Sequence, residues 1–94
     1  DLRALATDVR GRLGARPGVV ALFAADGGAK LSFVVATTSA ARDAGLAAGK
    51  LVPVFAPAVA GRGGGKPDLA QGGGTDPSGI PAAIDALRRE LAGR

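Results

Sequence analysis

Residues 61–74 read Gly-Arg-Gly-Gly-Gly-Lys-Pro-Asp-Leu-Ala-Gln-Gly-Gly-Gly. Two glycine triplets, Gly63–Gly65 and Gly72–Gly74, flank a short segment holding one proline, one aspartate and one leucine. Glycine loses the most backbone freedom on folding, so ordering six of them is costly. A chain orders such a stretch where bare backbone must come close to something, or where φ must be positive. Arg62 and Lys66 stand beside the first triplet, so an anion is the object that would approach. The alternative is a flexible glycine linker. Leu69 argues against it as an apolar anchor, as do the regular elements expected on both sides.

The rest of the composition narrows the chemistry. Ninety-four residues make one domain, 1–94, which buries about 60–65% of its unfolded surface. Only Phe23, Phe33 and Phe55 are aromatic, so alanine, valine and leucine must fill most of the core. There is no cysteine and no histidine. Disulfides and thiolate metal sites are excluded, and the commonest metal ligand and general base is missing. No apolar stretch approaches the ~20 residues of a membrane span, and no secretory pattern opens the chain. These features lead us to expect a soluble cytoplasmic protein. The start at Asp1 reads as a piece of a longer one. Net charge is +4, and residues 1–66 hold nine Lys/Arg against four Asp/Glu. That imbalance suits nucleic acid or another polyanion; ordinary solubility charge is the plain alternative.

Leu2, Leu5, Ala6, Val9 and Leu13 predict a helix over 2–14 with Gly14 as its C-terminal stop. Arg3 and Arg10 are expected on its outer face. Val19–Ala25 is a continuous apolar run, predicting a buried strand. Asp26–Ala29 has hairpin-turn chemistry, and Lys30–Thr37 reads as the antiparallel return strand. Residues 38–49 form a polar connection with room for a short helix.

Residues 50–60 conflict. Leu51, Val54, Phe55, Ala58 and Val59 have helical spacing, but Pro53 and Pro57 oppose it at about 3 kcal/mol for an interior proline. A helix starting near Gly49 would put Pro53 in the first turn, with a kink at Pro57. An edge strand over Leu51–Phe55 is the rival. Leu69–Gln71 reads as a short strand. Asp76–Gly79 carries helix-start signals with Asp76 as cap. Ile80, Ala83, Ile84, Leu87 and Leu91 predict a last helix ending at Gly93. The fold class is α+β, a small α/β layer domain in the order α-β-β-α-(short β)-α, with an antiparallel hairpin packed on helices.

The glycine segment fails the known phosphate loops. Gly65-Lys66 supplies the end of a P-loop pattern, but Ala60 replaces its first glycine and Pro67 its Ser/Thr. Lys66 takes the third glycine position of the dinucleotide pattern. Catalysis has thin support, since Asp68 reads as a turn residue and Asp76 as a cap; no catalytic and no metal residue is assigned. Binding fits. The amides of Gly63, Gly64 and Gly65 can meet phosphate or sugar oxygens, or lie flat on a base pair, with Arg62 and Lys66 supplying charge. Phe23 and Phe33 read as core rather than as stacking platforms.

Gly61 to Gly74 resembles the C-terminal signature of alanyl-tRNA synthetases. The elements around it agree: the helix over Asp1–Gly14, the hairpin, Ala48–Val52 before the signature, and the last helix. The domain is related to the one that follows the catalytic domain in DHH-type phosphoesterases. The resemblance implies a tRNA-binding module that contacts the tRNA elbow and assists aminoacylation and editing domains lying upstream. It implies Arg62, Gly63, Gly64, Gly65, Lys66, Gln71, Gly72, Gly73 and Gly74 as the nucleic-acid-binding set. No cofactor is expected in this chain; ATP, Mg and Zn are implied only for the parent ligase. A homodimer through a helical spacer is a further implied partner. Lys66-Pro67-Asp68 follows the triplet where the phosphoesterases carry a histidine, which argues against phosphodiester cleavage. Two rival readings stand beside this one. They are a nucleotide- or single-strand-binding accessory domain and a dimerisation module.

Overall fold

A computed structural model describes residues 2–92. Helix α1 (Leu2–Leu13) stops at Gly14, which takes a left-handed φ of 61° that a side chain would resist. Its stripe of Leu2, Ala6, Val9 and Leu13 packs on the sheet, while Leu5 is half exposed. Strands β1 (Val19–Ala25) and β2 (Leu31–Thr37) pair antiparallel from Val19↔Thr37 to Ala25↔Leu31. Asp26 shapes the turn by accepting a hydrogen bond from the Gly28 amide at 2.8 Å. The apolar run of β1 predicted a buried strand. It lies instead at the edge of the sheet, and only Val20 in it is buried. An apolar run does not reveal how many neighbours the strand will have.

The short helix α2 (Ser39–Asp43) is capped by Thr38, whose hydroxyl accepts from the Ala41 amide. Helix α3 (Ala48–Phe55) passes into a 3₁₀ turn at Ala56–Val59. The helical spacing therefore prevails over the edge-strand rival, but the prolines act differently from expectation. Pro53 lies in the helix interior rather than its first turn, with its ring exposed. Pro57 does not kink an α-helix; it sits in the first turn of the 3₁₀ segment, where a missing amide costs little. Ala60 then turns the chain with φ 51° and ψ 47°.

The glycine segment is not a loop. Gly61–Gly65 forms β3, and Leu69–Gly74 forms β4. The expected order lacked β3 altogether and kept only the first half of β4. The four strands run β1-β2-β4-β3, every neighbouring pair antiparallel. A second 3₁₀ turn (Pro77–Gly79) leads into α4 (Ile80–Ala92). Asp76 is the cap position of that turn, but its carboxylate accepts from the Ser78 hydroxyl rather than from backbone. The predicted helix stop at Gly93 lies outside the described residues.

Two helical layers sandwich the sheet. On one face α3, α4 and the first 3₁₀ turn bury Leu31, Phe33, Val35 and Ala70 beneath Leu51, Val52, Phe55, Val59, Ala83 and Leu87. On the other face α1 covers Val20, Val34 and Ala36. Phe55 sits edge-on to Phe33 at 5.0 Å and to Phe23 at 5.3 Å between ring centres, so the three rings are core. Among the described residues no helix is long and apolar enough to cross a membrane.

Candidate nucleic-acid interface

Pairing decides what each glycine of the hairpin can do. The Lys66 amide donates to the Leu69 carbonyl at 3.0 Å, closing the β3–β4 turn. Antiparallel ladders alternate hydrogen-bonded and non-bonded pairs. Lys66/Leu69 is bonded, so Gly64/Gln71 and Arg62/Gly73 are too. The amides of Gly61, Gly63 and Gly65 then point to the free edge of the sheet. Strand β4 has a neighbour on each side, so the ladder takes up the amides of Gly72, Gly73 and Gly74. Among the six glycines of the two triplets, only Gly63 and Gly65 offer edge amides.

The register also sorts the glycines by face. Gly61, Gly63, Gly65, Gly72 and Gly74 share the face of Leu31, Phe33 and Val35. A Cβ at Gly72 would collide with the Arg62 carbonyl oxygen and come within 2.6 Å of the Gly63 Cα and 2.7 Å of the Phe33 ring. One at Gly63 would lie 2.6 Å from the Gln71 oxygen, and one at Gly74 2.5 Å from the Val59 oxygen. These glycines are there because backbone packs against backbone. Gly64 and Gly73 fall on the opposite face with Arg62, Gln71 and Ser32. A Cβ at Gly73 would press on the Leu31 oxygen at 2.9 Å, but one at Gly64 would meet nothing within 4 Å. No packing demand explains a glycine at 64. It leaves a bare, exposed patch of strand.

Charge surrounds that patch. Gly64, Gly65, Lys66 and Gln71 line a shallow concavity of about 230 Å³ together with Arg3 of α1. Arg3 and Gln71 also line a neighbouring one beside Ser32 and Leu2. A third, at the far end of the hairpin, holds Lys30, Arg62 and Gly73. Asp68 is the one acid among the described residues lining the three. No hydrogen bond or ion pair among the described residues engages the side chains of Lys30, Arg62 or Lys66. Arg62, Lys66 and Gln71, the polar members of the predicted set, are all exposed and border one surface.

The structure adds Arg3 and Lys30 to that surface. Arg3 reads in the sequence as part of a helix face that adds long-range attraction for tRNA, outside the binding set itself, and Lys30 only as the start of a strand. Nothing in the local pattern says that β4 inserts between β2 and β3, the step that brings Lys30 beside Arg62. Arg10 goes the other way. It is not on an outer solvated face but half buried, and its Nη1 donates to the Asp68 carbonyl at 2.8 Å. Arg12, by contrast, is exposed and pairs with Asp8 one turn back at 3.2 Å.

The chain belongs to the DHHA1 domain family, which matches residues 1–93. It is similar to alanine–tRNA ligases: 69% identical over 90 residues to that of Saccharopolyspora erythraea, and 57% over 93 residues to that of Nocardia farcinica. These matches cover 96% and 98% of the chain but only 10% of either ligase. The chain thus spans about a tenth of the length of the relatives it matches. Its fold is similar to the crystal structure of the C-Ala domain from Aquifex aeolicus alanyl-tRNA synthetase. That likeness has a TM-score of 0.84 at 33% identity, over 94% of this chain and 76% of the other.

Proposed function

We propose that this chain is the C-terminal tRNA-binding domain of an alanine–tRNA ligase, and that the outer face of the β3–β4 hairpin is its RNA surface. The reading rests above all on Gly64. Its open surroundings would admit a side chain, yet the sequence leaves it bare in the middle of an unpartnered cationic surface. A flat partner fits such a strand better than a protruding one. The outward-facing tertiary base pair at the tRNA elbow is flat and carries phosphates at its margins. Arg62, Lys66, Lys30 and Arg3 would take those phosphates, and Gln71 would meet a sugar or base edge. The chain itself does no chemistry in this reading. Holding the elbow helps upstream aminoacylation and editing domains of a cytoplasmic parent ligase share one tRNA.

Binding of a tRNA transcript and of a single-stranded oligonucleotide to the 94-residue chain, across a salt series, tests the proposal. tRNA should bind weakly, better than the oligonucleotide, and with steep salt dependence. Replacing Arg62 and Lys66 together by alanine should weaken binding at low salt and lower the salt slope by about 2. Unchanged affinity in that variant, or equal affinity for the single strand, would sink the assignment.

A further inference from the structure

The tip of a β-hairpin is ordinarily its loosest part. Here it is tied to three other segments of the domain. The Pro67 carbonyl accepts from the Ala48 amide at 2.8 Å and from the Thr37 hydroxyl at 2.7 Å. The Asp68 carbonyl accepts from the Thr37 amide at 3.1 Å and from Arg10 Nη1 at 2.8 Å. Four donors from α1, the end of β2 and the start of α3 thus converge on two successive carbonyls. Arg10 also lies 3.9 Å from the Asp68 carboxylate. Arg42 backs the arrangement by donating to the Thr37 carbonyl at 2.6 Å. Thr37 itself is fully buried.

We propose that Arg10 and Thr37 are positioning residues: they lock the Lys66–Asp68 turn and so hold Lys66 and the bare strand at Gly64 in binding geometry before the ligand arrives. The inference rests on the function proposed above. Seven glycines in two strands would otherwise leave the hairpin many conformations to lose on binding, and a clamp at its tip removes that cost in the free protein. Arg10 is a cation spent on holding the surface, not on touching RNA. Thr37 is neutral and buried.

The experiment compares Arg10→Ala, Thr37→Val and Arg62→Ala with the parent chain, using amide hydrogen exchange and the salt dependence of tRNA binding. In the free protein, Arg10→Ala and Thr37→Val should speed exchange at the Lys66 and Ala48 amides. Exchange between β1 and β2 should stay unchanged, which also shows that the variants fold. Both should weaken tRNA binding about three- to ten-fold with no change in salt slope. Arg62→Ala should lower that slope by about 1. A slope lowered equally by Arg10→Ala would make Arg10 a phosphate contact and overturn the proposal. So would unaltered exchange at the turn, or full affinity in both clamp variants. Failure of the parent chain to bind tRNA at all would remove the functional reading and the positioning role with it. Faster exchange at the turn would then describe a purely structural clamp.

Discussion

Gly64 and Gly72 look interchangeable in the sequence, each a member of a triplet, but their surroundings differ in kind. Open space surrounds the position a Gly64 Cβ would take, whereas the backbone of β3 and the Phe33 ring fill that of Gly72. Gly64→Ala should leave stability within about 0.5 kcal/mol of the parent, because a strand conformation suits alanine and the unfolded chain loses entropy. It should still cut tRNA affinity several-fold if the bare strand meets a flat ligand. Gly72→Ala should cost about 2–4 kcal/mol, since rigid backbone cannot yield. Urea unfolding of both variants, alongside tRNA titration of the Gly64 variant, checks the contrast. Arg62 and Lys66 differ from Arg10 in the same way. All three are basic residues near the hairpin, yet only Arg10 has its guanidinium bound to a carbonyl.

At the scale of elements, helix periodicity was the most readable signal. The helix at 2–14, the return strand and the last helix lie close to where the spacing of apolar residues puts them. The prolines were less legible. Pro53 occupies the interior of α3 on its exposed side, where it removes an amide donor but buries nothing. The apolar face formed by Leu51, Val52 and Phe55 holds the helix in spite of it. Pro53→Ala should therefore raise stability by about 1–2 kcal/mol, less than the full helix-interior penalty because proline also restrains the unfolded chain. A higher urea midpoint with unchanged slope would bear this out. Strand β3 was illegible for a plainer reason. Gly-Arg-Gly-Gly-Gly has no side-chain alternation and poor β-propensity, so only its partner strand and the cover of α3 and the 3₁₀ turn make it a strand.

For the whole molecule, three phenylalanines at distant positions join the layers. Phe33 of β2, Phe23 of β1 and Phe55 of α3 meet ring to ring, and Phe55 is completely buried. A core otherwise built from small residues has little else of that size. Phe55→Ala should cost about 3–5 kcal/mol, a large share of the stability of a domain this small. Thermal unfolding should show a markedly lower midpoint, and tRNA binding should fail with it because α3 supports the glycine edge. A variant that melts near the parent temperature would mean that the three-ring cluster is not what joins sheet to helices.

The sequence alone determined the local elements whose apolar residues repeat with a clear period, and the absence of cysteine and histidine. It also marked Gly61–Gly74, through its resemblance to alanyl-tRNA synthetases, as the segment to watch. Those properties depend on residue type and near spacing, which a sequence displays directly. Strand order, the role of each glycine, the edge position of β1 and the work of Arg10 were decided only in the tertiary structure. Each depends on which distant segment lies alongside. Glycine, having no side chain, carries no record in the sequence of what packs against it.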